Sequence, residues 1–521
     1  MNRLILLFFY SLASFSAAAE HPPVLAHYMP WYASKEHSGS WGWHWTMDHF
    51  DPDRIKWTGD REAASHDYPL LGLYDSSDPY LLETHALLMK FAGIDGVIVD
   101  WYGAHDFYDY EQLHQNTKAL IPYIKKAGLK FAICYEDQTV KHQKKQKKIT
   151  DDQALQLGMM DLGWLDDNWL QDEAYFQVND RPALLVFGPQ YYEKDNWNSL
   201  RDSLSTKPLL YALPHGVERA NADGGFAWPP VEQPDWRTQL KEMKASIPAV
   251  FPGFHDIYKQ AGVQEGYRKI DDENGATFSE TLNLAIESNA PFVQLITWND
   301  FGEGTQIEPT RKLGYRYLDA LQSKLKPDYK PSDLRLPIRL YQLRQRLDDE
   351  RLDRAAALLY ESKCDEAAVL LYEIAEQPQT IDSNYELVTG IGYAEGDEYR
   401  EMRCKLDVYY PTHAKEYSTV IWFHGGGISK GGRTVPTPLR NKGVAVVTAD
   451  YRLSPKVEAP EYIKDAATAV AWTINNIANY GGDPSRVFVS GHSAGGYLAS
   501  MVGLDPQYLA ELDLETEDIA G

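Results

Sequence analysis

Gly96-Val97-Ile98-Val99-Asp100-Trp101-Tyr102-Gly103 is a short apolar run that ends in an acid, two aromatics and a glycine. Its hydrophobicity is nearly continuous and does not alternate, the pattern of a strand covered on both faces, as in a parallel sheet. Similar runs lie on either side: Val24–Tyr28, Lys130–Tyr135, Ala183–Phe187, Leu209–Leu213, Val250–Phe254 and Phe292–Thr297. Helical patterns such as Tyr80–Ala92 and Glu111–Ala127 separate them. Repeated strand and helix over some 300 residues predicts a (β/α)8 barrel of the TIM type across residues 20–326. A doubly wound open sheet is the alternative, weakened because no G-x-G-x-x-G follows the first strand.

Residues 327–383 are helical and charged, with Leu340, Leu343 and Leu347 at helical spacing and a second stretch from Ala355 to Ile374. They read as a connector. From 384 the pattern changes to strands at Tyr385–Val388, Arg403–Tyr410, Ser418–Phe423 and Val444–Ala449. A helix at Glu461–Ile477 and a strand at Arg486–Ser490 follow, so the overall class is α/β with an incomplete α/β-hydrolase fold over 384–521.

The 521 residues are too many for one ordinary domain, and 44% hydrophobic content can fill two cores. A net charge of −24 argues against nucleic acid as a partner. Arg3, the apolar run Leu4–Phe15 and the small residues before Glu20 predict a signal peptide over 1–19, hence a secreted or periplasmic protein. That run is too short to span a bilayer and no later one is longer, so no integral membrane segment is expected. Three widely spaced cysteines, Cys134, Cys364 and Cys404, form neither a disulfide framework nor a metal site, and no cofactor is implied. Oligomeric state leaves no mark in the sequence.

Twelve of the 14 tryptophans lie at or before Trp298, concentrating flat apolar rings in the first module. His27-Tyr28-Met29-Pro30-Trp31-Tyr32 and Trp41-Gly42-Trp43-His44-Trp45 follow the first strand. Such rings cover the C–H faces of sugars while polar tips bind hydroxyls. Acids recur just past successive strands, at Asp100 and at Tyr135-Glu136-Asp137, where barrel enzymes build their sites. The run Thr297-Trp298-Asn299-Asp300-Phe301-Gly302-Glu303 then delivers two carboxylates onto one loop. Glycosidic cleavage needs such a pair, one proton donor and one base or nucleophile. Asp300 and Glu303 are therefore the candidate catalytic pair. His27, Tyr28, Trp31, Trp43, Trp101, Tyr135, Glu136, Trp298 and Asn299 are the candidate substrate contacts, and Glu308 reads as a residue that holds the loop.

The opening His-Tyr-Met-Pro-Trp-Tyr, the Asp100-Trp101-Tyr102-Gly103 strand end and the run from Trp298 to Pro309 resemble glycoside hydrolase families 71 and 99. The resemblance implies a barrel acting on α-linked glycans, mannan- or glucan-type. It implies that Glu303 is the general acid/base and that Asp300 helps the sugar 2-hydroxyl attack its own anomeric carbon. The mannosidase family has Glu where Asp300 stands. The shorter side chain withdraws the carboxylate by about 1.5 Å, a displacement that can cost about a hundredfold in rate. The loop begins like the glucanase family and ends like the mannosidase family, leaving sugar and linkage open. A barrel that binds glycans without cleaving them is the second reading, and a polysaccharide-assembly factor the third, disfavoured by the export signal.

After residue 420, Ile421-Trp422-Phe423-His424-Gly425-Gly426-Gly427 runs from a strand into a glycine-rich loop. Val489-Ser490-Gly491-His492-Ser493-Ala494-Gly495 places G-x-S-x-G between a strand and a helix, the setting of a nucleophile elbow. Ser493 is the candidate nucleophile, with N–H groups of Gly425, Gly426 and Ala494 as the oxyanion hole. The segment resembles the hormone-sensitive-lipase-like and feruloyl/acetyl-xylan esterase group of α/β-hydrolases. In that group an acid and then a histidine follow the serine, but only 28 residues follow Ser493 and none is histidine. The expectation is a segment of a longer chain that stops in the loop after the elbow helix and has no esterase activity by itself.

Overall fold

A computed structural model describes residues 21–521, apart from 57–58, 148, 233–234, 244, 326–328, 348 and 377–383. The expected signal peptide lies outside the described residues. The chain divides into two compact units that meet between Glu376 and Gln377.

The first unit holds β1 (Val24–Tyr28), β2 (Gly96–Trp101), β3 (Lys130–Tyr135), β4 (Gln177–Val178), β5 (Arg181–Val186), β6 (Leu209–Ala212), β7 (Gly224–Gly225), β8 (Ala249–Val250) and β9 (Val293–Leu295). The short β4 pairs antiparallel with β5. The other eight run parallel in the order β7-β6-β5-β3-β2-β1-β9-β8. A parallel bridge from Phe226 to Ile247 joins the chain leaving β7 to the chain entering β8, which closes the ring. The sheet is therefore a (β/α)8 barrel, with its reactive end where the strands' C-termini emerge.

The continuous apolar runs form strands because both faces are covered; β1 and β2 are buried along their whole lengths. The helix Pro79–Ala92 begins where Asp78 accepts from the Tyr80 N–H and Pro79 occupies the first turn, and ends at Gly93 with φ 83°. β7 escaped the sequence reading because its two glycines carry no apolar run; neighbouring strands impose its pairing.

The expected connector is part of this first unit. Leu334, Ile338, Leu343, Leu352, Leu359 and Ile374 join the main core, and Arg344 forms a buried ion pair with Glu83 at 3.0 Å. Spacing alone shows that a helix has an apolar face, not what covers it.

The second unit has β10 (Tyr385–Gly392), β11 (Lys405–Pro411), β12 (Tyr417–Phe423), β13 (Ala445–Ala449) and β14 (Gly482–Gly491), in the order β10-β11-β13-β12-β14. The first two pairings are antiparallel and the last two parallel. The helices Glu461–Asn476 and Ala494–Leu504 pack on this sheet through Ala466, Val470, Leu498 and Val502. Ala520 N–H donates to Val487 and Val489 N–H to Gly521, so residues 520–521 lie alongside β14 and not in the loop the sequence suggested.

Candidate active site in the barrel and the serine turn

Strand alternation decides which residues reach the barrel interior. Trp101 is fully buried, donates from Nε1 to His114 Nδ1 at 3.1 Å and packs among Trp164 and Trp169, so it faces the helices. Its neighbour Asp100 therefore faces inward. Tyr135 likewise points outward, its hydroxyl donating to Asp161 at 3.1 Å, and Glu136 turns in.

Asp100, Glu136, Asp300 and Glu303 consequently share one electrostatic environment at the strand ends. Burial pushes Asp100 up to about 7, with the Tyr102 hydroxyl opposing and Asp300 adding repulsion. Glu136 is held well above the usual carboxylate range by burial, then by Asp100, Asp137 and Glu303. Burial raises Asp300 to about 6, restrained by hydrogen bonds from the Glu303 and Gly302 N–H groups. The Glu303 N–H···Oδ1 distance is 2.9 Å. Glu303 stands well above its ordinary value through burial, the charges of Asp300 and Asp256, and incomplete relief from Trp228 and Tyr258.

The loop carrying both acids is fixed by the segment that follows β8. His255 N–H donates to the Glu303 carbonyl and Ile257 N–H to the Gly302 carbonyl, both at 2.9 Å. Gly304 has φ 66°, and a Cβ there would lie 2.5 Å from the His255 carbonyl, so this close approach requires glycine. Thr297 Oγ1 accepts from the Asp300 N–H at 2.7 Å and sets where the turn starts.

A groove of about 530 Å³ opens beside Glu303, walled by Phe187, Trp228, Phe254 and Tyr267. Neither Trp228 nor Tyr258 had a sequence signal, since Trp228 sits in an irregular loop and Tyr258 opens a helix of only four residues, Tyr258–Ala261. Across the mouth, Trp31 stacks on His44 at 4.2 Å, and Trp43 is 40% exposed. These two remain suited to ligand contact.

Six expected contacts serve the fold instead. Trp101 and Tyr135 occupy the layer between strands and helices. Tyr28 hydrogen-bonds His85 at 3.1 Å. Trp298 packs edge-on against the same His85. Asn299 clamps both the N–H and the carbonyl of Met29, at 2.8 and 3.0 Å. His27 is buried, bonded to Gln294 at 2.8 Å and lowered to about 4 by burial, and supports Trp228 edge-on from behind. Glu308 lies 2.9 Å from His85, in the loop-holding role read from the sequence.

In the second unit, Ser493 stands at φ 54°, ψ −115°, a strained backbone for a residue with a Cβ, at the turn from β14 into its helix. A Cβ on Gly491 would overlap Gly495, and one on Gly495 would overlap the Phe423 carbonyl. Those contacts make both glycines of G-x-S-x-G steric requirements. Gly425 lies against the turn: its Cβ would come within 2.8 Å of His492 Nδ1 and 3.3 Å of Ser493 Cβ. The loop with Gly425 and Gly426 and the helix start at Ala494 thus flank Ser493. His424 faces Asp450 at 3.4 Å and stacks on Tyr451, and His413 contacts Asn384. Among the described residues, no histidine is hydrogen-bonded to Ser493.

All three cysteines are buried and free. Among the described residues there is no cluster of His, Cys, Asp and Glu that could hold a metal ion, and no helix long and apolar enough to cross a membrane.

Residues 406–519 match the BD-FAE family model. The esterase LipC of Mycobacterium tuberculosis is 40% identical over 94 residues, 18% of this chain and 23% of LipC. The carboxylesterase NlhH of the same species is 38% identical over 101 residues, 18% of this chain and 32% of NlhH. The chain thus spans about a quarter to a third of the length of these curated relatives. An endo-α-mannosidase of glycoside hydrolase family 99 from Bacteroides thetaiotaomicron aligns over 61% of this chain and 99% of its own, at 20% identity and a TM-score of 0.45. The second unit is similar to part of the carboxylic-ester hydrolases, and the first is a (β/α)8 barrel similar to that mannosidase.

Proposed function

We propose that the first unit hydrolyses α-glycosidic bonds of a mannan- or glucan-type polysaccharide or oligosaccharide. The observation that carries this reading is Glu303 on the wall of an aromatic groove, with Asp300 three residues away in a different electrostatic state. Two backbone N–H groups stabilise the Asp300 anion, whereas Glu303 bears the repulsion of Asp300 and Asp256. Asp300, held at about 6, is mostly ionised at neutral pH, whereas Glu303 holds its proton more tightly than an ordinary glutamic acid. Two acids whose environments drive them apart suit the two roles of glycoside hydrolysis. Glu303 protonates the departing oxygen, and Asp300 draws the proton from the nucleophile on the other side of the anomeric carbon. Glu136 and Asp100 complete the acidic floor, while Trp31, Trp43 and Trp228 offer ring faces to the sugar. Asp300 supports its role through its position and not its reach, since its carboxylate already accepts from its own loop.

That engagement of Asp300 also favours a second reading, a barrel that binds glycans without cutting them. Incubation with α-mannan and with α-1,3-glucan, followed by detection of new reducing ends, separates the two. The native chain should release ends from one of them, and Glu303→Gln and Asp300→Asn should not. Retained binding without any new ends would establish the recognition reading.

We further propose that the serine turn serves ester removal from the same class of glycan in the whole protein, with Ser493 as nucleophile and Gly425, Gly426 and Ala494 holding the oxyanion. The glycine contacts and the Ser493 backbone support this. Labelling of Ser493 in the whole protein by a fluorophosphonate, which loses fluoride and leaves a phosphonyl-serine, would test it. Export directed by residues 1–19 fits a polysaccharide substrate.

A further inference from the structure

Beside the acidic groove, the loops of the barrel mouth form a second depression. Its inner recess, about 80 Å³, is lined by Asp67, Phe254, His255, Gly304 and Gln306 among others. Phe254 also walls the groove that contains Glu303, so the two depressions are neighbours. The outer part, about 150 Å³, shares Asp67 and Lys312 with the recess. It presents Lys56, Arg61, Arg311 and Lys312 against only Asp60 and Asp67. On a chain of net charge −24, four cations against two acids on the reactive face form a local reversal of sign.

The cations are held outward by specific contacts. Arg311 lies 4.6 Å over the Tyr68 ring and pairs with Asp60. Lys312 is 72% exposed, with its ammonium 3.5 Å from Asp67, beyond hydrogen-bond length. Deeper in, Gln306 is 2% exposed and donates from Nε2 to Asp67 at 3.2 Å. Its Oε1 is buried and, among the described residues, has no hydrogen-bond partner. A buried acceptor left without a donor is costly unless a ligand or water supplies one.

The recess has room for a hydroxyl group beside the Gln306 Oε1. In the recess Asp67 and Asp272 are balanced by Lys269 and Lys312, whereas the outer part carries an excess of cations that attracts an anion. A hydroxyl inward and a negative charge outward is the pattern of a sugar bearing a phosphate or a carboxylate.

We propose that this depression is a subsite for an anionic sugar residue of the glycan, read by Arg311 and Lys312 for charge and by Gln306 for a hydroxyl. The proposal rests on the glycan-cleaving reading given above. The test titrates the full chain with mannose 6-phosphate, with glucuronate and with mannose, each at low and high salt, followed by calorimetry. Either charged sugar should bind more tightly than mannose, and the margin should close at high salt. Which of the two binds identifies phosphate or carboxylate as the group read. Lys312→Glu and Arg311→Gln, both changes of exposed side chains, should each weaken the charged sugar about fivefold and leave mannose unchanged. Charged sugars that bind no better than mannose, or charge variants indistinguishable from native, would overturn the subsite. Reducing-end release from neutral α-mannan in parallel keeps the readings apart. Cleavage without anion preference removes the subsite alone, and anion binding without cleavage removes the glycosidase reading alone.

Discussion

The barrel mouth and the serine turn both place reactive groups at the C-terminal ends of parallel strands, yet they create reactivity by different means. At the mouth the source is electrostatic crowding. Asp100 comes from β2, Glu136 from the end of β3, and Asp300 and Glu303 from the loop after β9. No single segment makes any of them unusual; burial does, and like charges add to it at Asp100, Glu136 and Glu303. At the turn the source is local backbone geometry. Ser493 is forced to φ 54° by the packing of Gly491 and Gly495 within a few residues. A distributed site can be retuned by changing any one contributor, whereas a local site either forms or does not.

The largest effect that would sharpen this contrast is at Glu303. Glu303→Gln should lower glycan turnover about 10²- to 10⁴-fold, the usual share of a general acid, with little change in melting temperature. Reducing-end kinetics beside a thermal melt measure both.

Gly495→Ala should be the most damaging structural change in the second unit. The new methyl overlaps the Phe423 carbonyl, and a clash with backbone costs on the order of 3 kcal/mol or more. Hydrogen exchange should show lost protection across β12, β14 and the helix Ala494–Leu504, with the barrel strands unchanged. Uniform loss in both units would break the distinction between local and distributed construction.

Asp100→Asn should stabilise the barrel above neutral pH. Burial holds Asp100 at about 7, whereas an unfolded chain titrates near 3.8. Between these values the folded protein keeps a proton that the unfolded chain has released. Its stability is therefore full below about pH 4, falls as pH rises to 7, and stays low beyond. Asn removes that loss, so the gain should be on the order of a few kcal/mol at about pH 8 and vanish near pH 4. Chemical denaturation at the two pH values measures it, and a gain independent of pH would refute the electrostatic account.

Ser493→Gly should stabilise the second unit by about 1 kcal/mol, because glycine adopts φ 54° without the strain that serine bears. A denaturant midpoint that shifts downward would show that the turn is not strained.

The same contrast explains what could be read from the chain. The turn was legible down to its residues because its requirements are contiguous: glycine, serine and glycine within five positions, after a strand. Strands β1, β2 and β3 were legible to the residue, since burial on both faces leaves an unbroken apolar run. At the mouth the sequence yielded Glu303, Asp300 and Glu136, but it also promoted Trp101 and Tyr135. Alternation sends those two into the helix layer, and only strand pairing tells which neighbour faces inward. Trp228 and Tyr258 were hidden because their approach to Glu303 depends on how distant loops fold over the barrel. The helices of residues 336–376 read as a connector because nothing in their own pattern names the surface that receives them.

One measurement addresses the role of Glu303 most directly: hydrolysis by native chain and Glu303→Gln of a natural α-linked glycan and of the matching glycosyl fluoride, whose leaving group needs no protonation. The account predicts that the variant loses the natural substrate while releasing fluoride in the first turnover at a rate near native. Equal loss on both substrates, or native rates on both, would contradict the assignment of Glu303 as the proton donor.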